Sequence, residues 1–274
     1  MCATCGCGDD GAVITPMSAR AKSKPTAMSA HHDHDHDHDH HHLPVTETVS
    51  LEQKVLAKND EVAATNREWL AERNILAFNL TSSPGAGKTT LLERTIRDLG
   101  ARRPVSVIEG DQETLLDAER IRATGCRVVQ VNTGAGCHLD AEMTHRALAT
   151  LRPDPGSLLF IENVGNLVCP ALFDLGEKTK IVVISVTEGA DKPLKYPHMF
   201  AAAGLVVINK TDLLPYVEFD LDICARHARS INPDVDIIPL SATTGDGLGG
   251  WYDWIDAHAT ELPELAIDKS LPPE

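Results

Sequence analysis

The chain has 274 residues, among them seven cysteines and 13 histidines, and carries a formal net charge of −15. That acidity makes nucleic acid and anionic membrane surfaces poor partners, and no apolar run reaches the ~20 residues that a membrane helix needs. An odd cysteine count points to thiols and metal rather than a disulfide framework, so a cytoplasmic protein is expected. Residues 1–50 hold seven acidic and three basic side chains, so the acidity belongs to the remainder as well. The first ten residues, Met-Cys-Ala-Thr-Cys-Gly-Cys-Gly-Asp-Asp, carry neither the basic stretch nor the apolar core of a signal peptide.

Residues 1–48 read as a disordered metal-binding tail. Cys2, Cys5 and Cys7 lie within six residues, and Gly6 and Gly8 allow the chain to wrap one ion. Three sulfurs leave one position for the terminal amine, an imidazole or water. Residues 11–30, rich in Ser, Ala and Lys, read as a disordered linker. Next comes a strip of eight histidines, His31, His32, His34, His36, His38, His40, His41 and His42, interleaved with four aspartates. Mostly neutral imidazoles in that density favour Ni²⁺, Cu²⁺ or Zn²⁺ over Mg²⁺, whether for delivery or as a simple buffer. Residues 49–74 then form an amphipathic helical segment of one or two helices, with Leu51, Val55, Val62, Trp69 and Leu70 at roughly helical spacing.

Residues 75–260 read as an α/β domain. An apolar run from Ile75 to Leu80 precedes Ser-Pro-Gly-Ala-Gly-Lys-Thr-Thr (Ser83–Thr90) and a helix-period segment ending at Leu99. This is the strand–loop–helix context of a phosphate-binding loop, G-x-x-x-x-G-K-S/T, with Ser82 in place of the first glycine. With Pro84 opening the turn, the backbone N–H groups of Gly85, Ala86, Gly87, Lys88, Thr89 and Thr90 would face phosphate oxygens. Lys88 would reach the β/γ-phosphates and Thr89 would hold Mg²⁺. Further strands are expected at Pro104–Ile108, Arg127–Val131, Ser157–Ile161, Lys180–Val186, Leu205–Ile208 and Val235–Leu240. Helices are expected near 112–124, 137–150, 193–203, 216–230 and 246–258. That alternation predicts a mostly parallel sheet covered by helices on both faces, with ligands at the carboxyl edge of the strands. Residues 261–274 read as a frayed end.

Asn209-Lys210-Thr211-Asp212 follows a strand, and a carboxylate there can accept both N1–H and the 2-amino group of guanine, which adenine cannot offer. Asn209 would brace the loop, Lys210 would cover the base, and Ser241-Ala242 would add backbone donors. Glu162-Asn-Val-Gly165 resembles a D-x-x-G turn in which Glu162 holds Mg²⁺ through water and the Gly165 N–H senses the γ-phosphate. Asp111, after Glu109-Gly110, would position the attacking water or Mg²⁺, or else cap the helix near 112–124. Cys137-His138 and Cys169 follow strands ending at this same edge, and together they could bind one metal with a position left open. Cys126 and Cys224 read as inert core thiols.

The motifs SSPGAGKTT (Ser82–Thr90), IEGDQET (Ile108–Thr114), GAGCHLDAEM (Gly134–Met143), IENVGNLVCP (Ile161–Pro170), SVTEGADKPLKYP (Ser185–Pro197) and NKTDLLPYV (Asn209–Val217) together resemble the HypB family of hydrogenase maturation factors. The resemblance covers roughly residues 45–260, and the CATCGCG start and histidine strip are similar to the tails of some members. It implies a P-loop GTPase of slow turnover that dimerises when GTP is bound. It also implies Ni²⁺ or Zn²⁺ at Cys137, His138 and Cys169, and delivery of nickel with a HypA-type partner to the large subunit of a nickel–iron hydrogenase. The rival readings are a nickel storage protein with a vestigial GTPase and an accessory GTPase of the urease or cobalamin-enzyme type. The Cys-Pro-His motif of the urease relative is missing here, and Asn209–Asp212 disfavours an ATP-using kinase.

Overall fold

The computed structural model describes residues 13–16, 45–112 and 114–260. The Cys2, Cys5 and Cys7 cluster, the histidine strip and residues 261–274 lie outside the described residues, as does the side chain of Leu51. The chain opens with strand β1 (Val13–Pro16) and helix α1 (Val45–Glu72), followed by β2 (Leu76–Ser82), α2 (Lys88–Leu99), β3 (Val105–Asp111) and α3 (Leu116–Ala123). Next come β4 (Arg127–Asn132), α4 (Ala141–Leu151), β5 (Leu158–Glu162) and β6 (Thr179–Ser185). Two short helices, α5 (Lys192–Lys195) and α6 (Pro197–Ala201), lead to β7 (Ala203–Asn209), α7 (Leu221–Ile231), β8 (Asp236–Pro239) and α8 (Leu248–Thr260). The strands make one sheet in the order β1-β4-β3-β5-β2-β6-β7-β8, in which only the β1–β4 pair is antiparallel.

Burial on both faces explains why the parallel strands are apolar throughout. Side chains alternate, so Leu76, Phe78 and Leu80 of β2 face a core closed by α2, α3 and α8, with Trp251 and Ile255 at its centre. Ala77 of β2, with Leu159 and Ile161 of β5, faces Leu148 and Leu151 of α4 and Leu70 of α1. Val182, Ile184, Val206 and Ile208 pack beneath α6 and α7. Each fully buried aliphatic side chain contributes roughly 1.5–3 kcal/mol. The sheet is therefore rigid, and its carboxyl edge is a stable rim for loops.

Four expectations need correction. Residues 13–16, placed in a linker, pair antiparallel with Asn132 to Val129 of β4 and close that edge of the sheet. In α1, a single helix, the buried stripe is Asn59, Ala63, Asn66 and Leu70, while Val55 is 49% exposed. Apolar periodicity found Leu70 and Trp69, which pack on the core, but missed the rest of the face because two of its anchors are amides. Asn59 donates to the Asp174 carbonyl and accepts from the Ala141 N–H, and Asn66 donates to the Ala141 and Leu175 carbonyls. The segment 193–203 is broken at Tyr196-Pro197 into α5 and α6. Finally, three helices begin later than expected. For α4 and α7 the reason is that Asp140 and Asp220 are N-caps, each accepting from the N–H three residues on. For α3 it is that Asp111 turns the preceding loop, as described below.

Candidate functional site

The loop after β2 turns with Gly85 at φ +76° and Gly87 at φ +99°, conformations in which a side chain is strained. A Cβ on Gly87 would also lie 2.5 Å from Asn209 Nδ2. The Ser82 hydroxyl, at the position of the usual first glycine, accepts from Lys88 Nζ at 2.7 Å and donates to the Ser83 carbonyl. Burial holds the Lys88 ammonium below its ordinary value, opposed first by the charge of Glu162. The lysine is thus docked on the loop. A cavity of about 480 Å³ opens here, lined by Pro84, Gly85, Gly87, Lys88, Thr89 and Thr90 together with Asp111, Glu162, Gly165 and Lys210.

In the wall of that cavity, the Thr89 hydroxyl donates to Glu162 Oε1 at 2.7 Å. Glu162 Oε2 is buried with no hydrogen-bond partner, and burial raises the carboxyl above its ordinary value. Gly165 sits against the phosphate loop, since a Cβ on it would lie 3.1 Å from Pro84 Cα. Glu109, level with Glu162 on the neighbouring strand, is also buried with an unpartnered Oε2. Burial first, then the charges of Glu162 and Asp111, push its carboxyl up to about 9. Glu162, bonded to the Thr89 hydroxyl and carrying an unpartnered oxygen, is an oxygen donor that suits a hard divalent cation such as Mg²⁺. The sequence marks Glu109-Gly110-Asp111 as a switch-segment candidate but assigns the chemistry there to Asp111, not to Glu109. Its burial depends on strand pairing that residue types do not reveal.

Asp111 lines the cavity, but it is not a helix cap, because the N-cap position of α3 is Leu115. Its carboxylate accepts from the N–H groups of Gln112 and Thr114 and from the Thr114 hydroxyl. Arg120, a cavity residue that the sequence did not single out, donates from Nη2 to the Thr90 hydroxyl at 3.0 Å and ties α3 to the phosphate helix.

The Asn209–Asp212 segment is braced from the phosphate loop and from Ser241-Ala242. The backbone donors expected of that pair for a base are instead engaged within the chain, the Ser241 N–H on the Asp246 carbonyl and the Ala242 N–H on Asn209. Asn209 donates to the Ala86 carbonyl at 2.9 Å and accepts from the N–H groups of Lys210 and Ala242. Lys210, left-handed at φ +63°, donates to the Gly85 carbonyl at 2.7 Å. The Ser241 hydroxyl donates to Asp212 Oδ1 at 2.6 Å and fixes the carboxylate that would read the base.

Cys137, His138 and Cys169 converge, with ligand atoms all within 4.8 Å of one another and Cys137 Sγ 3.0 Å from Cys169 Sγ. His138 is buried and stacks on Phe173 at 4.0 Å between ring centroids. Burial lowers its pKa, opposed by Asp140, which favours the neutral imidazole that a metal requires. The other two described cysteines are poor ligands, because burial pushes the Cys126 thiol up to about 12 and the Cys224 thiol up to about 11.

The family model described as "CobW/HypB/UreG, nucleotide-binding domain" matches residues 76–239. The chain is 55% identical to the hydrogenase maturation factor HypB of Azotobacter vinelandii, over 82% of this chain and 75% of that one. It is 48% identical to the HypB of Escherichia coli strain K12, over 94% of this chain and 99% of that one. Among solved structures it is similar to the HypB of Archaeoglobus fulgidus, with TM-score 0.70 and 40% identity over 74% of this chain and 99% of that one. It is likewise similar to the HypB of Helicobacter pylori solved in complex with nickel, with TM-score 0.70 and 35% identity over 76% of this chain and 98% of that one. With its phosphate loop, its braced Asn209–Asp212 segment and these matches, the chain belongs to the CobW/HypB/UreG family, on its HypB branch, and is a P-loop GTPase.

Proposed function

We propose that this GTPase carries nickel to the large subunit of a nickel–iron hydrogenase and releases it under control of the bound guanine nucleotide. The observation that carries the reading is the Cys137, His138 and Cys169 cluster at the strand edge that also forms the nucleotide cavity. Two thiolates and a neutral imidazole suit Ni²⁺ or Zn²⁺ and are wrong for Mg²⁺. The nickel in the Helicobacter pylori relative supports the same assignment.

In the hydrolytic step, Lys88 leaves Ser82 for the β/γ-phosphates, Gly165 meets the γ-phosphate through its N–H, and Asp212 accepts from guanine. Thr89 and Glu162, with Asp111 at the rim, would hold Mg²⁺, which when bound neutralises charge on the β- and γ-phosphate oxygens. GTP promotes a homodimer in this reading. Val168 and Leu172, 59% and 56% exposed, flank Cys169 and offer such an interface apolar surface. A HypA-type chaperone is the expected donor or co-carrier, and the cytoplasm the expected compartment. Among the described residues, no helix is long and apolar enough to cross a membrane. Cys2, Cys5 and Cys7 would bind nickel tightly, and the histidine strip would hold a reserve.

That strip favours a second reading, nickel storage with an idle GTPase. Cells lacking this gene and complemented with variants separate the two. Delivery predicts hydrogenase activity restored by the unaltered chain but by neither Lys88→Ala nor Cys169→Ala. Full restoration by Lys88→Ala would favour storage.

A further inference from the structure

The segment carrying Cys137 and His138 is held from the nucleotide side at three nearly successive positions. Gln112, next to Asp111, donates from Nε2 to the Gly136 carbonyl at 3.2 Å. Asn166, next to Gly165, donates from Nδ2 to the Cys137 carbonyl at 3.1 Å. Asn163, next to Glu162, accepts through Oδ1 from the Leu139 N–H at 3.1 Å. Asn166 also accepts through Oδ1 from the Val168 N–H at 2.9 Å, one residue before Cys169. Asn166 thus turns its own loop toward Cys169 and ties that loop to the one carrying Cys137, and it belongs to the turn whose glycine abuts Pro84 of the phosphate loop. Packing reinforces the link, since a Cβ on Gly110 would lie 2.8 Å from Leu139 Cγ.

We infer that Asn166 is a positioning residue for the metal site, setting the Cys137-to-Cys169 geometry according to the position of the Gly165 turn, with Gln112 as a second strut. The inference rests on the nickel reading above and adds to it the side chain that transmits the nucleotide state. Both amide atoms of Asn166 are engaged, the donor on the Cys137 loop and the acceptor on the turn of its own loop that leads to Cys169. A shift of the turn toward or away from a γ-phosphate must therefore move both loops or break a hydrogen bond. A ligand-state difference of this kind is a coupling free energy, typically worth between about 5-fold and 150-fold in affinity.

The test uses the full chain in a nickel-buffered medium. Alkylation of Cys137 and Cys169 is followed by peptide mass spectrometry, with GDP or with a non-hydrolysable GTP analogue. This readout is specific to the two thiols and is blind to metal on the tail. In the unaltered chain, the free nickel needed for half-protection should differ about 10-fold between the two nucleotides. Asn166→Ala should shrink that ratio to within about 2-fold. Asn166→Asp keeps the acceptor for Val168 but loses the donor to Cys137, and should give an intermediate ratio. Gln112→Ala, at an exposed position, gives a second estimate free of folding defects and should reduce the ratio partially. An unaltered ratio in all three variants overturns the inference while leaving the nickel reading intact. No nucleotide dependence in the unaltered chain overturns both.

Discussion

The Thr89 hydroxyl meets Glu162 Oε1 at 2.7 Å in the wall of the nucleotide cavity, joining the first turn of the phosphate helix to the end of the neighbouring strand. These two oxygens come from elements 73 residues apart in sequence, so their contact depends on the β2–β5 pairing. Replacing the carboxylate with an amide of equal size leaves the packing intact and removes the negative charge. Glu162→Gln should therefore lower the Mg²⁺-dependent hydrolysis rate by about 100-fold and weaken the Mg²⁺ requirement, measured as phosphate release across a Mg²⁺ titration. A variant hydrolysing GTP at the unaltered rate would remove Glu162 from the metal-holding set.

Glu109 gives a pH prediction for the nucleotide-free chain. Its carboxyl is raised from 4.5 to about 9 by burial and by neighbouring acids, so between those values the folded chain retains a proton that the unfolded chain has released. The stability due to this group is complete below the ordinary value and is lost as pH rises toward about 9. One such group contributes a slope of at most about 1.4 kcal/mol per pH unit. Glu109→Gln should flatten the fall in unfolding free energy across that window, followed by urea denaturation at several pH values. An unchanged slope would mean that the proton is held elsewhere.

The helix that clasps the metal loops is tested at Asn66. Its side chain serves the Ala141 and Leu175 carbonyls and lies 2.9 Å from His145 Nδ1. Asn66→Ala strands these buried groups and should cost about 3 kcal/mol in unfolding free energy. Val55→Ala, on the exposed face, should stay within about 0.5 kcal/mol. The reverse order would restore the apolar-stripe view of α1.

That contrast marks where the sequence is readable. Gly85, Gly87, Lys88 and Asp212 declare themselves because phosphate and guanine demand those residue types at those spacings, and Cys137, His138 and Cys169 because few other roles need thiols beside imidazole. Asn59, Asn66, Asn163 and Asn166 do not declare themselves. Their partners are mostly main-chain groups far along the chain, or loop neighbours in turns that leave no periodic trace. Strand β1 was equally hidden, because four residues flanked by polar sequence form a strand only when an edge such as β4 is there to pair with.

The cysteines should sort by chemistry. At about pH 8, iodoacetamide should modify Cys137 and Cys169 well before Cys126 and Cys224, whose thiols burial holds up at about 12 and about 11. Nickel or zinc should protect the first pair and leave the second unaffected, read by peptide mass spectrometry. Equal rates at all four would contradict the assignment of the metal site.

The most direct test of a shared rim for nucleotide and metal is nickel–thiolate absorbance in a full-length chain carrying Cys2→Ser, Cys5→Ser and Cys7→Ser. Titrations with GDP and with a non-hydrolysable GTP analogue should give different affinities and different charge-transfer spectra for the site at Cys137, His138 and Cys169. Superimposable titrations and spectra in the two nucleotide states would contradict the account.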